Sequence, residues 1–365
     1  MIKATKYRIY PTRKQRDHFA QHFGCARFVY NWGLGRKIES YQKTGKSPSC
    51  FDLIKEMVAV LKVENPWLTE VNAQSLQMSL RNLDNAFTSF FKKRGKFPKF
   101  KNKKSRQSFQ CPQGVKIDFQ RKKLNIPKIK GIKVKIDREF YGKVKTTTIS
   151  RTPTGKYFAS ILVDDGLGLP EKNNPKKFDA VGVDLGIKDF AVLSTGEKIS
   201  NPKNLIKAEK KLAKKSRQLS KKKKGSANRK KARVKLALLH EKVANKRKDF
   251  LHKLSKRLIS ENQAVCLEDL AVANMLKNHR LARHVSDTGW GMFRSFCEYK
   301  AEWYGKTTLV IGRFCPSSKL CDKCGTVNKD LKLKDRIWVC SCGTTHDRDI
   351  LAARNILNFA FIPSV

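Results

Sequence analysis

Ala180-Val181-Gly182-Val183-Asp184-Leu185-Gly186-Ile187, continued by Lys188-Asp189-Phe190-Ala191-Val192-Leu193, is the stretch that decides the fold. Its spacing predicts a strand, a tight turn and a second strand. An acid inside an apolar strand is costly unless it serves a metal or has a partner. Gly182 and Gly186 flank Asp184 and are expected to leave room for a metal and a phosphate. Downstream, Ala264-Val265-Cys266-Leu267-Glu268-Asp269-Leu270 reads as a buried strand ending in carboxylates. Asp349 opens a final helix reaching about Phe359, just after His346-Asp347-Arg348.

Phosphodiester hydrolysis by two divalent cations about 4 Å apart needs carboxylates that converge on both. An RNase H-like α/β core supplies one Asp from its first strand, an acid from the end of a later strand and an Asp from a C-terminal helix. Asp184, Glu268 and Asp349 follow that order and are the candidate catalytic and metal-ligating residues. Each also has an ordinary reading. Asp184 fits a turn before Gly186, Glu268 and Asp269 a solvated strand end, and Asp349 a helix cap. Strand alternation lets only one of Glu268 and Asp269 face the ions, and Glu268 continues the face of Cys266 and Ala264. His346 and Asp347 are near enough in sequence to support the site from behind.

Working outward, the 365 residues suffice for two or three domains at roughly 100–200 residues each. A hydrophobic content of 40% supports real cores and excludes a disordered chain. Lys and Arg total 79 against 31 acids, a net charge of +48. Such a surplus repels itself in a compact chain and is best matched by a partner's phosphates. A ribosome-associated protein without chemistry is the bland alternative. A membrane surface fits less well, because the charge runs through the whole chain. No apolar run approaches the roughly 18 residues of a membrane span. Met1-Ile2-Lys3-Ala4-Thr5-Lys6 lacks a signal-peptide core. A cytosolic, nucleoid-associated protein with no membrane partner is expected.

Residues 2–10 alternate as a strand, and Pro11-Thr12 starts a helix. Residues 13–97 read as helical, with Leu80, Leu83, Ala86, Phe87, Phe90 and Phe91 at helix-face spacing. Tyr30 and Trp32 read as core rather than base-stacking platforms. Phe97-Pro98-Lys99-Phe100-Lys101 begins a basic linker. Short alternating strands over 106–165 predict a small antiparallel barrel, completed by the first strand and interrupted by the helices. Residues 166–177 form a linker. Residues 203–257 carry 23 Lys and Arg against Glu209, Glu241 and Asp249, and the tract 221–226 breaks them into a helical hairpin. Thr308-Leu309-Val310-Ile311 is a further strand.

Ten cysteines divide into two groups. Cys25, Cys50, Cys111, Cys266 and Cys297 are scattered and read as small buried hydrophobes. Cys321-x-x-Cys324 and Cys340-x-Cys342 are two close pairs with 16 positions from Cys324 to Cys340. Four thiolates across a short hairpin suit tetrahedral Zn²⁺, structural because no position is left for water. Gly325 and Gly343 follow each pair and suit the positive-φ turns of such knuckles. Ile337-Trp338-Val339 supplies a strand before the second pair, and Cys315 is read as non-ligating.

These motifs together resemble the TnpB (OrfB) family, insertion-sequence proteins ancestral to type V CRISPR effectors. The resemblance runs through Tyr10-Pro11-Thr12, Phe23-Gly24-Cys25-Ala26-Arg27-Phe28-Val29-Tyr30-Asn31-Trp32, Gln74-Ser75-Leu76-Gln77 and Phe97-Pro98-Lys99-Phe100-Lys101. It continues in Gly182-Val183-Asp184-Leu185-Gly186, Leu267-Glu268-Asp269-Leu270, Pro316-Ser317-Ser318-Lys319 and His346-Asp347-Arg348-Asp349. It implies an RNA-guided DNA endonuclease encoded by a transposable element, with Mg²⁺ on a RuvC triad at Asp184, Glu268 and Asp349. Its partners would be a guide RNA from the transposon end and double-stranded target DNA, with a monomer in the RNA complex. Base pairing by the guide would carry most specificity.

The implied architecture is a wedge-like barrel (1–20 and 104–170), a helical recognition domain (21–103), a RuvC-like nuclease domain (171–312 and 344–365) and a zinc ribbon (313–343). Gln74 and Gln77 fall in the region that reads the target-adjacent motif, where a Gln amide can pair with adenine. Arg27, Lys99 and Lys101 are further nucleic-acid candidates. The family commonly has Asn two residues after its last aspartate, where this chain has Leu351. A strand-transferring transposase and a cleavage-impaired RNA-guided repressor are the alternatives.

Overall fold

Thr12 fixes where the first strand stops and the first helix starts. Its hydroxyl accepts from the Gln15 N–H, and the Gln15 side chain accepts from the Thr12 N–H, which satisfies two orphan donors. A computed structural model describes residues 1–172, 174–332 and 335–362. Asn173, Leu333, Lys334 and residues 363–365, within the expected linker, ribbon and C-terminal end, lie outside the described residues. The chain divides into two units, Met1–Gly168 and Leu169–Val365.

In the first unit, β1 (Ile2–Tyr10) is followed by α1 (Arg13–Thr44), α2 (Cys50–Glu56), the single turn α3 (Lys62–Glu64) and α4 (Ala73–Phe91). Six strands follow: β2 (Gln107–Cys111), β3 (Lys116–Asp118), β4 (Lys123–Ile126), β5 (Ile129–Lys135), β6 (Lys143–Arg151) and β7 (Tyr157–Asp164). They form one antiparallel sheet in the order β2-β6-β7-β1-β5-β4-β3. The first strand therefore sits inside the sheet, and the helices are an insertion between β1 and β2. Among the described residues β2 and β3 remain its two ends, so hydrogen bonding does not close a barrel. Alternate residues Tyr7, Ile9, Phe109, Ile149, Ala159 and Ile161 meet Phe19 and Phe23 of α1 in one core. The expected domain border at 20/21 falls inside α1, because the Thr12 cap starts that helix at Arg13. A second core joins α1 to α2 and α4 through Val29, Leu53, Leu76 and Leu80, with Trp32 packed against it; Tyr30 is also buried.

The second unit is built on β8 (Ala180–Leu185), β9 (Asp189–Leu193), β10 (Lys198–Ser200), β11 (Ala264–Glu268) and β12 (Thr307–Ile311), ordered β10-β9-β8-β11-β12. The β8–β11 and β11–β12 pairs are parallel and the β8–β9 and β9–β10 pairs antiparallel. Between β10 and β11 run α5 (Asn204–Ser220) and α6 (Ala227–Glu261), broken at 221–226, with Ser226 accepting from Arg229 N–H. Then come α7 (Val272–Met275), α8 (Ala282–Thr288) and α9 (Trp290–Trp303). After β12 come the hairpin strands β13 (Ile337–Val339) and β14 (Thr345–Asp347), then α10 (Arg348–Ala360). The hairpin pairs Ile337 with Asp347, so the expected ribbon border at 343/344 falls within it and the ribbon runs directly into α10.

Strand alternation sorts the two faces of this sheet. Val181, Val183, Val265 and Leu267 pack with Leu254, Leu258 and Phe293 from α6 and α9. Cys266 on the opposite face packs with Ile356 and Leu357 of α10. Gly182 also faces α10: a Cβ there would lie 2.0 Å from the Ala353 carbonyl oxygen and 2.9 Å from Leu357. Its missing side chain thus admits a helix, not the metal and phosphate expected. Gly186 is likewise a turn requirement, since a Cβ would come 2.8 Å from the Asp189 carbonyl oxygen. Among the described residues no helix is long and apolar enough to cross a membrane.

Candidate functional site

The parallel register pairs Cys266 with Gly182 and Leu267 with Val183, so the next residues, Glu268 and Asp184, end on the α10 face. Asp347 is the N-cap of α10, accepting from the N–H groups of Asp349 at 3.0 Å and Ile350 at 3.2 Å. Asp349 is therefore not the cap; it stands in the first turn, where the helix dipole favours an anion. Asp184, Glu268 and Asp349 line one cleft of about 390 Å³ with Ser317, Lys319, Arg336 and Arg348.

Burial raises the Asp184 carboxyl to about 7, with Glu268 and Asp349 pushing the same way and Arg348 and Arg336 opposing. Burial also raises Glu268, offset by the Ser317 hydroxyl donating to it at 3.3 Å. Arg336 holds both oxygens of Asp349, at 2.9 and 2.7 Å, and Arg348 adds a contact at 3.2 Å. Asp269 points elsewhere: Arg313 at 2.6 Å and Arg294 at 2.9 Å bind it and lower its pKa. Asp184 and Glu268, whose burial opposes ionisation, form with Asp349 a carboxylate donor set that a divalent cation would relieve.

The four sulfurs of Cys321, Cys324, Cys340 and Cys342 lie within 4.8 Å of one another. Cys321 and Cys342 are 3.8 Å apart, Cys324 and Cys340 3.5 Å. Gly325 and Gly343 take φ of 74° and 81°, and their N–H groups donate back to the carbonyls of Cys321 and Cys340. Hydrogen bonding by Thr326 pulls the Cys324 thiol down to about 6, which favours the ligating thiolate. The set fits a structural zinc site. Cys315 stands outside it and packs against the cluster around Cys266 and Ile356. Cys25, Cys111, Cys266 and Cys297 are buried and Cys50 partly so. Leu351 is buried with Cys321, Trp338 and Cys340, which makes it part of the ribbon core.

The nucleic-acid candidates lie in the first unit. Arg27 of α1 donates to Gln107 at 3.2 Å, and with Lys101 it lines a polar cleft of about 320 Å³ alongside Ser79, Asn82 and Gln110. The Lys101 ammonium sits 3.4 Å from the centre of the Tyr30 ring, and partial burial lowers its pKa. Gln74 and Gln77 are on α4, outside that cleft, and Gln74 donates to Gln113 at 3.2 Å. Lys99 is exposed. Ser317 and Arg336 were not among the residues expected at the carboxylates. Ser317 had a signal, in the Pro316–Lys319 motif; Arg336 had none beyond preceding a strand.

The geometry defines a mixed α/β protein with a carboxylate cleft and a four-cysteine ribbon. Its fold is shared with a chain of the Cas12f1–sgRNA–target DNA complex, at a TM-score of 0.60 and 13% identity, covering 98% of this chain and 99% of that one. Three family patterns match: "Probable transposase" over residues 149–279, "Cas12f1-like, TNB domain" over 290–356 and "Helix-turn-helix domain" over 1–46. The last stretch folds here as β1 and α1. A "Putative RNA-guided DNA endonuclease" of Streptomyces pristinaespiralis is 43% identical, over 97% of this chain and 88% of its own. InsQ of Escherichia coli K12, which carries the same description, is 32% identical over 98% and 92%. The chain belongs to the TnpB (OrfB) family.

Proposed function

We propose that this protein is an RNA-guided DNA endonuclease of a transposable element, cutting beside a short DNA motif by metal-dependent hydrolysis. One observation carries the reading: three acids from distant segments line one cleft, where burial and the charges of Glu268 and Asp349 oppose ionisation of Asp184. Asp184, Glu268 and Asp349 would hold Mg²⁺, which when bound supplies Lewis-acid activation of water and of the scissile phosphate. Glu268 is oriented by Ser317, and Asp349 is presented by the Asp347 cap. Arg336 and Arg348 neutralise Asp349 in the absence of a cation and leave two guanidinium groups beside the phosphate path.

In this reading Leu169–Val365 is a RuvC-like nuclease unit carrying the zinc ribbon. The sheet of Met1–Gly168 is the wedge, its helical insertion the recognition domain, and Gln74, Gln77, Arg27, Lys99 and Lys101 meet nucleic acid. A guide RNA from the transposon end and duplex DNA are the partners, bound by a monomer in the nucleoid-containing cytoplasm. The relatives' descriptions support this over strand transfer.

The test is cleavage of a guide-matched duplex by the purified RNA–protein complex. Asp184→Ala should abolish cleavage while the co-purifying RNA is retained. Unchanged cleavage would refute the mechanism, and joined DNA ends would restore the transposase reading.

A further inference from the structure

His346 precedes the carboxylate segment in sequence yet stands at the cysteines. It is 5% exposed, and its Nε2 lies 3.1 Å from Cys321 Sγ. The hairpin register sets Trp338 opposite it, with ring centres 4.8 Å apart. Its Nδ1 edge faces Asp322 at 3.8 Å, and the other Asp322 oxygen is 3.7 Å from Arg354 of α10. One residue on, Asp347 caps α10 and accepts from the Asp349 N–H. On the opposite strand, the Arg336 carbonyl accepts from Arg348 N–H at 2.8 Å while its side chain grips Asp349. The hairpin therefore carries cysteines at its closed end and the third carboxylate at its open end.

A metal-bound thiolate only accepts, so with the ribbon loaded the Nε2 proton would point at Cys321. Donors of this kind orient a metal ligand from behind, and their loss typically costs about 10–100-fold in metal affinity or activity. We propose that His346 is a positioning residue, tying the metal on Cys321, Cys324, Cys340 and Cys342 to the seat of Asp349. Metal occupancy of the ribbon then sets the competence of the carboxylate cleft. The inference rests on reading Asp349 as a cleavage carboxylate. Cys321, Asp322 and His346 also lie within 4.8 Å of one another, but the four sulfurs already make a complete tetrahedral set without the imidazole.

The experiment uses the full chain with its RNA, as wild type, His346→Leu and His346→Gln. Gln places an amide N–H near the imidazole Nε2. Zinc transfer to a chromogenic chelator, absorption of the cobalt-substituted protein, and the Mg²⁺ needed for half-maximal cleavage without added zinc are measured. The Leu variant should release zinc roughly 10-fold faster and need more Mg²⁺. Gln should restore both, and all cobalt spectra should have four-thiolate intensity.

Wild-type zinc release in the Leu variant overturns the proposal. So does faster release with an unchanged Mg²⁺ requirement, and so does a wild-type cobalt spectrum of three thiolates and one nitrogen. If the Leu chain does not fold, His346→Asn, too short to reach Cys321, takes its place. Zinc release is read without cleavage, and Asp184→Ala run in parallel tests the nuclease reading, so the two fail separately.

Discussion

Replacing Asp184 with Asn should stabilise the metal-free protein at pH 8 and change it little at pH 4. Burial and the charges of Glu268 and Asp349 raise the folded-state pKa from 3.8 to about 7. Between those values the folded chain holds a proton that the unfolded chain has released. Stability is therefore lost as pH rises through this window, and the penalty is complete above about 7. At 1.36 kcal/mol for each tenfold step, the full gap is worth about 4 kcal/mol, and water at the mouth of the cleft trims it to about 2–3. Asn keeps the shape and carries no charge. Thermal melts of RNA-free protein in EDTA should show a gain of roughly 5–10 °C at pH 8 for the second unit. Millimolar Mg²⁺ should narrow the difference, because the cation stabilises the wild-type cluster more. The reasoning is refuted if the Asn variant is no more stable at pH 8, or if its advantage persists at pH 4.

Three further outcomes can be checked. Glu268→Gln should lose guided cleavage while Asp269→Asn keeps it, since Asp269 is turned towards Arg294 and Arg313; equal losses would contradict the face assignment. Gly182→Ala should destabilise the second unit by about 3 kcal/mol in a denaturant melt, because its methyl meets the Ala353 carbonyl at 2.0 Å. Replacing Lys221, Lys222, Lys223 and Lys224 with Ser should leave the melting temperature unchanged, as all four are exposed. It should also flatten the salt dependence of RNA binding by up to about 3 in log–log slope, and an unaltered slope would place the RNA elsewhere.

The carboxylates were legible because alternation in a strand fixes a face. An acid continuing the Gly182 face of β8, and another continuing the Cys266 face of β11, had to end side by side once the strands paired in parallel. The cysteine pairs and their glycines were legible from local spacing alone. Gly182 was legible as a position that must be small, but its reason was not, since the Ala353 carbonyl arrives from a helix 171 positions away. Helix α9 escaped because Lys300 interrupts its buried stripe; its ammonium is satisfied by the His252 carbonyl and the Ser255 hydroxyl at 2.7 Å. Arg336 escaped because an ion pair closed by tertiary folding leaves no periodicity. Leu351 read as a departure from the family pattern, and its place is apolar because Trp338 and Cys340 surround it.

The parallel pairing of β8 with β11 sets a timetable on synthesis. At about 5–20 residues per second, Asp349 follows Asp184 out of the ribosome by roughly 8–33 s. During that interval β8, β9 and β10 can form their meander, but the other edge of β8 stays open until β11 arrives. An open apolar edge invites pairing with other chains. The segment made in the meantime is the lysine-rich α5–α6 hairpin. On the proposed reading a partly made chain does not cut, because Asp349 is delivered by the helix that also covers one face of the sheet.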